Sequence, residues 1–99
     1  MAIPDYQSFM LPLLQLAEDS KEYKLSDVID ALADKFNLSD EEREELLPSG
    51  AQTIIYNRIG WARTYLHKAG LFNTPKRGYF QITDRGKELL KQQPKEINV

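Results

Sequence analysis

Ninety-nine residues, 41% of them hydrophobic, suffice for one domain with one compact core, and a chain this short buries only about two-thirds of its unfolded surface. The absence of cysteine excludes disulfides and thiolate metal sites, and no apolar run approaches the roughly 20 residues of a membrane span. A net charge of −2 argues weakly against nucleic acid as a partner, but it averages two unlike halves: 12 acids and 4 bases in residues 1–48, and 3 acids and 9 bases in residues 49–99.

The first apolar stretch predicts a helix over residues 6–17 with Asp5 as its N-cap. Pro12 removes one backbone hydrogen bond there, so a kink or a late start is expected. Residues 21–24 predict a strand of two or three residues. Ser26 is then expected to cap a second helix over 27–36, in which Val28, Ile29, Leu32, Ala33 and Phe36 form one apolar stripe. Asn37 suits a left-handed helix ending. Ser39 and Glu42 have the spacing of a capping box, which opens a short acidic helix that Pro48, Ser49 and Gly50 stop.

A third long helix is predicted over 53–69, where Ile55, Ile59, Ala62, Leu66 and Ala69 recur at steps of three and four. Gly70 and Leu71 fit a Schellman ending. Two strand-like runs follow, 71–75 and 79–82, joined by Lys76, Arg77 and Gly78, with the glycine placed for the positive φ of a bulged hairpin. Thr83 caps a last helix through Lys91, and the polar tail 92–99 reads as a linker. This order predicts an α+β, mostly helical fold over residues 1–91: a winged helix-turn-helix with a C-terminal β-hairpin wing and an additional short acidic helix.

Catalysis needs groups that converge, and few are on offer. The one histidine, His67, allows no metal-binding histidine pair. The serines have no base near them in sequence, the glycines form no phosphate loop, and the hairpin strands hold no acid for a carboxylate–lysine nuclease centre. No catalytic residue, metal set or cofactor is expected in this chain.

The positive case is DNA. Between Ser49 and Thr83 there is no acid, while Arg58, Arg63, Lys68, Lys76 and Arg77 all fall there. On a helical wheel with the Ile55–Ile59–Leu66 stripe inward, the outer side presents Thr53, Tyr56, Asn57, Gly60, Arg63, Thr64 and His67. Asparagine can read adenine and arginine guanine in the major groove, and Gly60 allows a close approach. The N-terminal part of a recognition helix reaches the bases, which favours Thr53, Tyr56 and Asn57. Lys76 and Arg77 at the wing tip suit backbone phosphate. The candidate DNA-binding set is therefore Gln52, Thr53, Tyr56, Asn57, Arg58, Gly60, Arg63, Thr64, His67, Lys76 and Arg77. If all five bases of the acid-free stretch met phosphate, affinity would fall about 500-fold between 50 and 200 mM salt.

Plainer roles stand beside these. Trp61 and Tyr65 are expected to pack against the wing or the first helix rather than touch a base. His67 reads as a solvent-facing helix residue rather than a pH switch. Arg58 sits near the buried boundary, where a structural role, pairing with an acid of helix two, and a phosphate role are both open. Residues 40–45 read as a solvated helix face, or as a surface that repels DNA or meets a basic partner. Tyr79 can stack on a ligand or shield its neighbour.

The run Leu46, Leu47, Pro48, Ser49, Gly50, with Asn57 to Leu66 and Lys68, Ala69, Gly70, Leu71, resembles the N-terminal domain of Mrr-type restriction endonucleases. Pro75 to Gly78 and Ile82 to Gly86 are similar to that family's wing and wing exit, and Pro4 to Gln7 and Leu25 to Ile29 also fit. The resemblance covers nearly the whole chain, and Asn57-Arg58, Gly60-Trp61-Ala62-Arg63 joined to Pro75-Lys76-Arg77-Gly78 is its specific part. It implies a cytoplasmic DNA-targeting module whose partners are double-stranded DNA, methylated for some members, and a nuclease domain of the same protein beyond residues 92–99. Self-pairing stays open, and the rival reading is a winged helix that binds protein.

Overall fold

The computed structural model describes residues 3–97. In chain order the elements are α1 (Tyr6–Leu16), a 3-10 turn (Ala17–Asp19), β1 (Tyr23–Lys24), α2 (Leu25–Lys35), α3 (Asp40–Glu44), α4 (Ile54–Lys68), β2 (Phe72–Asn73), β3 (Tyr79–Ile82) and α5 (Asp84–Lys91). The three strands form one antiparallel sheet in the order β1-β3-β2, with Lys24 opposite Tyr79 and Phe72 opposite Ile82. Helices with a small sheet behind them give the chain the layout of a winged helix-turn-helix.

Local chemistry accounts for most element ends. The Asp5 carboxylate accepts from Ser8 N–H at 2.9 Å and opens α1. That helix starts at Tyr6 and continues through Pro12, against the alternative of a late start: the carbonyl that Pro12 leaves without a donor belongs to exposed Ser8, where solvent can satisfy it. Ser39 and Glu42 exchange bonds of 3.1 and 2.8 Å as the spacing predicted. Asn37 is left-handed at φ 54. At the end of α4, Gly70 has φ 78 and Leu71 N–H donates to the Leu66 carbonyl at 2.9 Å, the expected Schellman closure.

Two boundaries differ from the sequence expectation. Helix α2 begins at Leu25, not after Ser26, because the Asp27 carboxylate reaches back to Lys24 N–H at 3.1 Å and makes Lys24 the cap. Buried Leu25 is thereby drawn into the first turn. Strand β2 ends at Asn73 rather than 75, so five residues, 74–78, join it to β3. Pro75 has no N–H for a ladder, and the turn closes instead by Tyr79 N–H donating to Lys76 C=O at 3.0 Å with Gly78 at φ 83.

The core lies between α1, α2, α4 and the inner face of the sheet. Phe9, Met10, Leu13 and Leu14 meet Ile55, Ile59 and Leu66, and Phe72 and Phe80 close the sheet side with ring centroids 4.8 Å apart. Tyr6 of α1 stacks on Tyr65 of α4 at 4.9 Å, as expected of Tyr65. Thr83 ties the last helix in: its hydroxyl donates to Gly70 C=O at 2.7 Å and accepts from Gly86 N–H at 3.1 Å. Ile97 is buried and packs with the core, so residues 92–97 fold back over the first and last helices.

Candidate nucleic-acid interface

The buried stripe of α4 fixes what its other side presents. Ile55, Ile59, Ala62 and Leu66 are buried, and Thr53 caps the helix by accepting from Tyr56 N–H at 3.2 Å. The outward side carries two open grooves. One is lined by Leu25, Gln52, Tyr56, Asn57, Gly60, Trp61, Arg63 and Thr64. The other lies between α4 and the wing, where Arg63, Thr64, His67 and Lys68 face Thr74, Gly78, Tyr79 and Phe80. Arg63 and Thr64 belong to both, so the polar face of α4 and the hairpin form one continuous surface.

The structure thus gathers Gln52, Tyr56, Asn57, Gly60, Arg63, Thr64 and His67 as the sequence proposed, and sorts the other candidates differently. The Thr53 hydroxyl oxygen is engaged as the helix cap. Arg58 points to the far side: its Nη1 donates to the carbonyls of Ile3 and Pro4, clamping the N-terminal segment onto α4. This is a structural engagement, but with backbone carbonyls of the N-terminal segment rather than with the acid of helix two that the sequence suggested. A Cβ at Gly60 would stand 3.4 Å from Leu25 Cδ2, at the edge of ordinary van der Waals contact. The Thr64 hydroxyl donates to Gly60 C=O at 3.0 Å and keeps its lone pairs for a ligand.

At the wing, Lys76 pairs with Glu22 at 3.6 Å and sits 4.2 Å from the Tyr79 ring centre. Arg77 is exposed, and neither it nor Arg63 has a carboxylate partner among the described residues. Trp61 overturns the packing expectation. Half of its surface is exposed, and its ring lies tilted beside Tyr65 with centroids 6.2 Å apart. Two contributors were missed by sequence reasoning, Leu25, which lines the first groove, and Lys24, whose ammonium lies over Tyr79; Lys68, over Tyr65, was counted among the bases but left out of the candidate set. Lys68 had a signal in the acid-free stretch. Lys24 had none, because only the pairing of β1 with β3 brings it to the wing.

No acid lines either groove. The acidic helix α3 abuts the start of α4 through main chain, with Ile54 N–H donating to Glu45 C=O at 2.9 Å. Two of its side chains have local partners: Arg43 pairs with Asp34 at 2.8 Å, and the Ser39 N–H bond holds the Glu42 carboxyl below its ordinary range. The Asp19 carboxyl is likewise lowered by the Tyr23 hydroxyl, a 2.7 Å bond that raises the phenol in return. Among the described residues no cluster of three or more His, Cys, Asp or Glu could hold a metal, and no helix is long and apolar enough to cross a membrane.

A helix-turn-helix with a hairpin wing beside its outer helix defines this chain as a small domain of winged-helix layout. The family model of the Mrr N-terminal domain matches residues 6–92, and the chain belongs to that family. It is 34% identical over 98 residues to a type IV methyl-directed restriction enzyme, EcoKMrr, of Escherichia coli (strain K12). The match takes in 98% of this chain and 32% of that relative, so the chain spans about a third of the relative's length. No solved structure matches.

Proposed function

We propose that this chain is a cytoplasmic DNA-targeting module of a Mrr-like restriction endonuclease. It lays α4 in the major groove, rests the wing on backbone phosphate, and leaves cleavage to a nuclease domain of the same protein. The observation that carries this reading is the shared position of Arg63 and Thr64 in two adjoining grooves that no carboxylate lines. Asn57 and Gln52 supply amides for base edges, and Arg63 a guanidinium for guanine. The named relative is methyl-directed. The apolar surfaces of Leu25, Tyr56 and Trp61 beside the Asn57 amide suit a base-edge methyl group, so methylated duplex is the favoured ligand.

Fluorescence anisotropy with labelled duplexes tests this. Arg63, Lys68 and Arg77 lack a carboxylate partner among the described residues, and three phosphate contacts give a log–log salt slope of at least about −2.7, or about 40-fold loss between 50 and 200 mM. Arg63→Ala is expected to weaken binding and reduce the slope by about 0.9. A flat slope, with binding indifferent to Arg63→Ala and Arg77→Ala, refutes the proposal.

A second reading has one observation in its favour: Leu46, Tyr56 and Trp61 are 55%, 40% and 50% exposed. Large apolar side chains left outside the core suit a protein partner or a second copy of the chain. Sedimentation equilibrium separates the readings, since self-association on this face is abolished by Trp61→Ala and insensitive to salt.

A further inference from the structure

Strand pairing creates a cationic cluster that no local sequence signal announces. Lys24 stands opposite Tyr79 across the β1–β3 ladder, so the two side chains rise on the same face of the sheet. Their neighbours Tyr23 and Phe80 take the opposite face, with Phe80 buried. The turn bond from Tyr79 N–H to Lys76 C=O then folds Lys76 back over the same ring. The Lys76 ammonium is 4.2 Å and the Lys24 ammonium 5.3 Å from the ring centre. One phenol thus carries two like charges, a concentration of positive charge that attracts an anion.

The nearest anion is internal. Glu22, two residues before Lys24, reaches Lys76 at 3.6 Å, and both side chains are largely exposed (42% and 60%). An exposed pair of this kind is weak and easily exchanged for a stronger anion. Tyr79 also lines the groove that Arg63 and Lys68 share, so the cluster continues the recognition surface around its wing edge.

We propose that Lys24 and Lys76, held by the Tyr79 ring, form a seat for a DNA backbone phosphate, and that the Glu22 carboxylate occupies and guards this seat in the free protein. The inference rests on the DNA-targeting reading and adds to it a fourth and a fifth phosphate contact and an internal competitor. Phosphate displaces Glu22 on binding. The carboxylate therefore lowers affinity for any duplex irrespective of sequence, which sharpens the share of binding that base contacts must supply.

The test uses the 99-residue chain and a fluorescein-labelled random-sequence 20-bp duplex, titrated from 50 to 200 mM NaCl. With five contacts the wild-type slope is about −4.5 rather than −2.7. Glu22→Gln tightens binding two- to fivefold, the range that release from an exposed ion pair allows. Lys24→Gln keeps the backbone N–H that Asp27 caps, and is expected to weaken binding and to make the slope shallower by about 0.9. Tyr79→Leu, on a wing whose fold is checked by circular dichroism, loses the Lys24 effect. If Arg63→Ala weakens binding but Glu22→Gln and Lys24→Gln change neither affinity nor slope, the phosphate seat is refuted while DNA targeting stands. If no variant and no wild-type protein binds duplex, both fall together.

Discussion

Removing the Arg58 side chain separates a clamp from a contact. In the structure its Nη1 donates to the carbonyls of Ile3 and Pro4, across 55 and 54 residues of sequence, and so fastens the segment that buries Ile3. Arg58→Ala leaves both carbonyls without this donor. The two bonds leave a single nitrogen and count as one forked, charge-assisted interaction worth about 1.5–3 kcal/mol. Taking about 2 kcal/mol, and 4–8 °C per kcal/mol for a domain of this size, the melting temperature drops by about 8–16 °C. The assay is a thermal melt followed at 222 nm, paired with duplex binding well below the transition, where affinity is expected within about twofold of wild type. A variant that melts like wild type yet binds DNA tenfold more weakly refutes the reasoning, and returns Arg58 to the phosphate-contacting set.

Two further outcomes follow from the packing and the titrations. Gly86 sits where an added Cβ would come 2.6 Å from Leu71 C=O and 2.7 Å from Ile82 Cγ1, so Gly86→Ala is expected to lower the melting temperature by about 8 °C or more despite alanine's better helix propensity. The Tyr23–Asp19 bond has two pH limbs. Asp19 is depressed by the phenol, so its contribution is present above the ordinary carboxylate value and is lost as pH falls through the depressed one. Tyr23 is raised by the carboxylate, so its contribution holds below the ordinary value near 10 and is lost as pH rises through the raised one. Urea melts across pH are expected to show Tyr23→Phe flattening both limbs. A variant whose stability varies with pH as wild type does at both ends removes that bond from the account.

The residues that read correctly in the sequence act over three or four positions. Asp5, Ser39 and Thr83, each named as a cap from its position before a helical run, accept a bond from the backbone N–H three residues on; Thr53 does the same, though the sequence placed it inside the helix. Ser26 misled because Asp27, one position later, satisfies Lys24 and starts the helix early. Trp61 misled because helical position alone puts it at the stripe's edge. Tyr65 and Tyr6 already fill the space beside α1, and the indole is left outside.

From the sequence alone came the order of helices and hairpin, the caps, the Gly70 ending and an α4 face free of acids, since each depends on neighbours within one helical turn. Tertiary structure decided which charges that face can use. Arg58 is claimed by carbonyls at the chain's beginning, and Lys24 is delivered to the wing by a strand pair that spans 55 residues. Charge is written in the sequence one residue at a time, but a partner is a matter of distance in space, and only folding sets that distance.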